Sequence, residues 1–154
     1  MSKEIIGFNI RVYGLIINSD QQILLSDEYQ LGMKMTKFPG GGLKYGEGTI
    51  DGLKREAIEE FGQVVEILEH FYTLDYFQPA LFHSEYQLLS IYYFARFPEP
   101  LKFKVSNRPF DFPDMENGNI SFRWKNIHEL KEDDLTLPVD KKVAEMLRKK
   151  LCSE

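Results

Sequence analysis

GGGLKYGEGTIDGLKREAIEEFGQ, residues 40–63, places Glu56, Glu59 and Glu60 within little more than one helical turn. Acids three or four apart on a helix repel by roughly a few tenths of a kcal/mol per pair. The stretch still reads as a helix. Thr49 can cap its N-terminus, Asp51 in the first turn suits the helix dipole, and Gly62 can close the C-terminus. Ile50, Leu53, Ala57 and Phe61 recur at three- and four-residue spacing as the expected buried stripe.

Advancing about 100° per residue from Ile50, Leu53, Ala57 and Phe61 cluster within about 60° of it. Glu60 falls about 20° beyond Leu53 and Glu56 about 40° further round, while Glu59 and Arg55 lie nearly opposite the stripe. A solvated acidic face would centre all its charges opposite the core. Two of these glutamates flank the core instead, where an unpaired carboxylate is costly to desolvate. A hard cation such as Mg²⁺, which prefers carboxylate oxygens and substrate phosphate, would turn the repulsion into binding. The preceding FPGGG, residues 38–42, is too flexible for an ordinary strand or helix. It reads either as a tight corner or as backbone that a phosphate approaches closely.

Outward from this stretch, residues 9–18 (NIRVYGLIIN) are β-branched and apolar enough for a strand. NSDQQ is a turn signal, and ILLSDE at 23–28 is expected as the hairpin partner. Residues 29–36 read as irregular. Downstream, 64–77 is a long or bent strand, 78–85 a loop, and the nearly continuously apolar 86–97 a strand covered on both faces. A loop-rich segment with Pro98, Pro100, Pro109 and Pro113 leads to a short strand, SFRW. A final helix is expected over about 138–151, with Val143, Met146, Leu147 and Leu151 on its apolar face. This order predicts an α/β (α+β) fold with a mixed sheet layered between helices.

The chain has 154 residues, enough for one well-buried core, and no linker or repeat divides it; residues 1–154 are expected to form one domain. Its formal charge of −5 argues against nucleic acid as a partner, since phosphate backbones need clustered Lys and Arg. A small phosphorylated ligand remains compatible, because a metal ion can neutralise it locally. The single cysteine, Cys152, in the tail, permits no intramolecular disulfide. The opening MSKEIIGFN lacks a signal-peptide apolar region, and no apolar run approaches the ~18 residues of a membrane span. A cytoplasmic location without membrane association is expected.

Gly41, Glu47, Arg55, Glu56, Ala57, Glu59, Glu60 and Gly62 fit every spacing of the Nudix box, G-x5-E-x7-R-E-U-x-E-E-x-G-U, over residues 41–63. Pro39-Gly40 before it is also usual in that family. The chain therefore resembles a Nudix hydrolase. Ala57 is smaller than the usual aliphatic, Gln63 replaces the last one, and Lys44 stands where many members carry Glu. The resemblance implies an α/β/α sandwich with a mixed central sheet. It also implies metal-dependent cleavage of a phosphoanhydride in a nucleoside diphosphate linked to another moiety. Glu56, Glu59 and Glu60 would hold Mg²⁺ or Mn²⁺ with Glu47 nearby, and Arg55 would orient them. Many members use a further carboxylate on a loop before the last short strand, where Glu116 stands, with Asp114 beside it and Glu85 as a more distant candidate. Many relatives are homodimers.

Specificity in this family lies outside the box, in loops 78–85 and 105–119. Pro79, sixteen residues after Gln63, resembles a spacing of ADP-ribose-cleaving members, whereas the short chain resembles nucleoside-triphosphate-cleaning ones. Gly40, Gly41, Lys37 and Arg11 are candidates for contact with phosphate. Tyr13, Phe77, Phe82 and Tyr86 are candidates for stacking on a base, with His83 in the same loop. The alternatives are a Nudix-like sensor that binds a nucleotide without cleaving it, and an acidic helix with no ligand.

Overall fold

The computed structural model describes residues 4–152. The first three residues of the N-terminal stretch and the last two of the chain lie outside the described residues. Strands β1 (Gly7–Ile16), β2 (Gln22–Gln30), β3 (Met33–Lys37) and β4 (Gly40–Gly42) precede helix α1 (Thr49–Phe61). Strands β5 (Glu66–Thr73), β6 (Tyr86–Arg96) and β7 (Ile120–Asn126) follow, then two short 3-10 turns and helix α2 (Pro138–Cys152).

The strands form two sheets, a mixed one in the order β4-β1-β6-β5 and an antiparallel one in the order β3-β2-β7. Long apolar β6 is the interior strand expected of its composition, parallel to β1 on one side and antiparallel to β5 on the other. Period-2 alternation sends neighbouring residues of each strand to opposite faces. Tyr13 and Leu15 of β1, Ile23 and Leu25 of β2, and Tyr92 and Phe94 of β6 pack with Val139, Val143, Ala144 and Leu147 of α2. Ile16, Leu24 and Ala95, from the same strands, pack with Ala57 and Phe61 of α1. The strands thus lie between two helices. The layering expected from the order of elements is present, with the sheet layer divided in two.

That division corrects the sequence reading. β1 and β2 make only the bridge Ile17–Ile23 and then part into different sheets, so β2 is not the hairpin partner of β1. Residues 29–36 are not irregular. β2 continues to Gln30 and returns as β3 through Leu31 and Gly32, both at positive φ (49° and 76°), the two-residue turn whose twist suits paired strands. The strand over 64–77 is shorter, Glu66–Thr73, with its pairing to β6 broken at two places. FPGGG does enter a strand, since Gly40, Gly41 and Gly42 pair with Tyr13, Val12 and Arg11. In α2, Leu151 is 41% exposed, past the last turn that the core covers, while Cys152 ends the helix, half-buried against the core. Among the described residues no helix is long and apolar enough to cross a membrane.

Candidate active site

Helix α1 starts at Thr49, so its cap falls one residue earlier than expected. Gly48 is the N-cap, and Thr49 Oγ1 pairs instead with the Tyr93 hydroxyl of β6 at 2.6 Å, fixing the first turn to the sheet. Asp51 keeps its place in the first turn, and Gly62, at φ 65°, closes the helix by donating its N–H to the Ile58 carbonyl. The buried face is Gly52, Leu53, Ala57 and Phe61; Ile50 is 42% exposed. Dropping Ile50 and adding Gly52 turns the core-facing side toward the acids. Glu56 and Glu60 lie on this half-buried side, and Glu59 is exposed.

Arg55 is the hub of the acidic residues. Its guanidinium donates to Oε1 of Glu47 through Nη2 at 2.7 Å and to Oε2 through Nε at 3.0 Å. Nη1 reaches Oε1 of Glu56 and Oε2 of Glu59, each at 3.1 Å, and Nη2 also donates to the Gly42 carbonyl at 2.9 Å. These bonds hold the Glu47 carboxyl down at about 2, with help from the Lys44 N–H. Arg55 occupies one oxygen each of Glu56 and Glu59. Oε2 of Glu56 and both oxygens of Glu60 carry no protein hydrogen bond among the described residues, and Oε1 of Glu59 has only Lys44 Nζ at 3.9 Å.

Glu60 is the unusual member. Burial pushes its carboxyl up to about 8, with Glu28 and Glu56 adding to the rise and Lys37 and Arg11 opposing it. Gly41 fits against the same place. A Cβ there would fall 2.5 Å from Cδ and 2.7 Å from Oε2 of Glu56, so any larger residue requires the Glu56 carboxylate to shift. At Gly40 a Cβ would meet the Val12 carbonyl and, at 2.8 Å, the Cα of Tyr13. The glycines therefore set how closely β4 approaches β1 and α1.

Several oxygens without a protein donor on half-buried and exposed carboxylates suit a hard cation. Among the described residues, however, no three such side chains are already gathered as a metal site. Glu47, Glu56 and Glu59 are drawn together by Arg55 instead.

A cavity of about 360 Å³ is lined by strands of both sheets and by no residue of α1. Asn9, Arg11 and Tyr13 of β1 line it opposite Glu28, Gln30, Met35 and Lys37 of β2 and β3, and Pro79, Phe82 and His83 close one side. Lys37 is buried, 3.1 Å from Glu28. Arg11 donates through Nε to the Tyr13 hydroxyl at 2.6 Å. Tyr13 is itself stacked on Tyr92, at 5.2 Å between ring centres, so it forms wall and core together. Phe77 is exposed and Tyr86 packs edge-on to His83; neither lines the cavity.

Glu116 is exposed on the loop before β7. That loop is tied to the β2–β3 turn, since Gly118 donates its N–H to the Tyr29 carbonyl and Asn117 Oδ1 accepts from Gly32. Asp114 accepts from Asn119, and the Glu85 carbonyl accepts from Ile6 N–H. The carboxylate outside the box that acts on Glu60 is Glu28, which sequence reasoning passed over. Its signal was the acid pair ending ILLSDE. Neighbouring strand residues face opposite ways, so a strand buried on both faces had to supply each acid with a partner. Asp27 finds Arg123 at 2.7 Å, and Glu28 finds Lys37.

The sequence matches the NUDIX domain family over residues 7–147. It is 29% identical over 101 residues to the 8-oxo-dGTP diphosphatase of Buchnera aphidicola, covering 66% of this chain and 68% of that protein. Among solved structures, a NUDIX hydrolase from Nitrosomonas europaea superposes with a TM-score of 0.66 at 22% identity, over 90% of this chain and 86% of that one. The MutT protein of Methanosarcina mazei Go1 also gives a TM-score of 0.66, at 19% identity and over 97% of both chains. At these identities the two structures speak for the fold.

Proposed function

The chain is a pyrophosphatase-type hydrolase of the Nudix family, and from that premise we propose that it cleaves a phosphoanhydride of a nucleoside diphosphate linked to another moiety, in a Mg²⁺- or Mn²⁺-dependent reaction. The observation that carries this reading is Glu60, a half-buried carboxylate near Glu56 with no protein donor of its own among the described residues. A cation held by Glu56, Glu59 and Glu60, with Glu47 nearby, would activate water and offset charge on the phosphoryl oxygens.

The protein's own groups do the rest. Arg55 fixes the Glu47, Glu56 and Glu59 carboxylates in one arrangement, engaging both oxygens of Glu47 and leaving one oxygen each of Glu56 and Glu59. Gly41 lets the backbone of β4 pass close to Glu56, and Gly40 lets it pass close to β1. Lys37 and Arg11 supply positive charge to the phosphates in a protein whose overall charge is negative. The nucleoside enters the cavity between the sheets, with Pro79 and Phe82 beside it. Of the two substrate types, the match to an 8-oxo-dGTP diphosphatase favours a nucleoside triphosphate over an ADP-ribose-like molecule. Glu116, on a loop joined to the β2–β3 turn at the cavity's edge, is retained as a candidate base. The whole chain acts as one domain, in the cytoplasm.

Glu60→Gln tests the assignment. It is expected to abolish metal-dependent hydrolysis while circular dichroism stays that of the parent and thermal stability does not fall. Full hydrolysis by that variant would remove Glu60 from the site, and nucleotide binding without turnover by the parent would make the protein a sensor.

A further inference from the structure

Lys37 is a buried cation paired with one carboxylate and subject to the charge of a second. Its Nζ lies 3.1 Å from Oε2 of Glu28, and the two side chains are only 9% and 10% exposed. The same oxygen accepts the Ser26 hydroxyl at 3.0 Å, from a serine with no exposed surface. The arrangement follows from the strands. Ser26 is the cross-strand partner of Lys37, and Glu28 is the next residue of β2 on the same face. The other glutamate whose charge reaches Lys37 is Glu60 on α1. A buried ammonium without a partner is costly, so Lys37 deprived of Glu28 would turn to Glu60.

We propose that Glu28 is a positioning residue, which holds Lys37 on β2 and thereby leaves the Glu60 carboxylate open to a cation. The inference rests on the cation reading of Glu60 given above, and adds to it a reason for a buried ion pair beside the acidic helix. In this arrangement Oε2 of Glu28 is engaged by both Lys37 and Ser26. Its effect passes through Lys37. Neutralising Glu28 alone leaves an ammonium competing with the cation for Glu60, whereas neutralising both removes the competitor.

The test is the affinity of the nucleotide-free protein for Mn²⁺, followed by electron paramagnetic resonance of the unbound ion. Parent, Glu28→Gln, and the double variant Glu28→Gln/Lys37→Met are compared. Glu28→Gln is expected to weaken Mn²⁺ binding by about tenfold or more, as is typical when a group supporting a metal ligand is lost. The double variant, in which an ion pair is replaced by neutral groups of similar size, is expected to bind within about threefold of the parent. Unchanged affinity in the single variant overturns the proposal. So does a double variant as weak as the single, which makes Glu28 a ligand in its own right. Should Glu28→Gln fail to fold, the double variant decides alone: near-parental affinity sustains the proposal and a tenfold loss overturns it. A parent that binds no Mn²⁺ fails differently, because it removes the cation reading itself.

Discussion

Arg55 engages both carboxylate oxygens of Glu47, Nη2 to Oε1 at 2.7 Å and Nε to Oε2 at 3.0 Å. The two residues are eight apart in sequence, on either side of the helix start, so this fork joins the glycine loop to α1. It also holds Glu47 down at about 2. Lysine cannot reproduce a two-pronged contact that continues to Glu56 and Glu59. Arg55→Lys is expected to let the Glu47 carboxyl rise toward its ordinary value of about 4.3, read by NMR titration. Its kcat is expected to fall by about a hundredfold, the usual scale when reacting groups are misplaced by an ångström.

Gly41→Ala probes the approach of β4 to α1. The added methyl would meet the Glu56 carboxylate, with Oε2 at 2.7 Å, and the strand or the glutamate must move. Because the atoms met end a flexible side chain, a cost of about 1 kcal/mol is expected, the low end for overpacked sites, measurable by urea unfolding. Mn²⁺ affinity should fall in the same variant. Parental stability together with parental affinity would show that the approach is unimportant.

Glu60, held up at about 8 by burial, gives activity a pH dependence. On the cation reading, a proton and the cation would compete for the same oxygens. At subsaturating Mg²⁺ the rate should rise by about tenfold per pH unit between pH 6 and 8 and flatten above, the slope of a single proton. Glu60→Gln should lose that limb with its activity, and a pH-independent rate in the parent over this range would contradict the assignment.

Asp140 makes a prediction about stability. It is fully buried under Phe38, accepts the Tyr92 hydroxyl at 2.6 Å, and is pushed up by burial to about 6. A carboxyl raised on folding binds its proton more tightly in the folded state. Its contribution is therefore greatest below pH 4 and is lost as pH rises through 6. Relative to Asp140→Asn, the parent should lose on the order of 2–3 kcal/mol between pH 4 and pH 6 and then level off. Unfolding curves at each pH measure it. A parallel pair of pH profiles would rule out Asp140 as the source.

The box helix was legible because its signals are local. A 3.6-residue period put Leu53, Ala57 and Phe61 on one side, Gly62 ended the helix, and fixed spacings identified the glutamates. The β1–β2 relationship was not legible in the same way. A polar turn between two apolar strands predicts a hairpin, but Leu24 and Leu25 are buried on both sides of β2, and each strand found better partners in a different sheet. Ile50 misled for a related reason: periodicity locates a stripe to within about one residue's rotation, and tertiary packing chose Gly52 over Ile50. The partners of Glu28 and Asp27, Lys37 and Arg123, come from other strands, so no local pattern in ILLSDE could name them.

The central claim, hydrolysis of a nucleoside diphosphate derivative, is tested most directly with a panel of nucleoside triphosphates, oxidised nucleotides and ADP-ribose-type compounds. Each is incubated with the protein and Mg²⁺ in ¹⁸O-labelled water, and the products are identified by mass. A nucleoside monophosphate and its phosphorylated counterpart, one of them carrying a single ¹⁸O, are expected for at least one compound, and neither after chelation of the metal or in Glu60→Gln. Compounds that bind to the protein and are recovered unchanged in Mg²⁺ would contradict the claim.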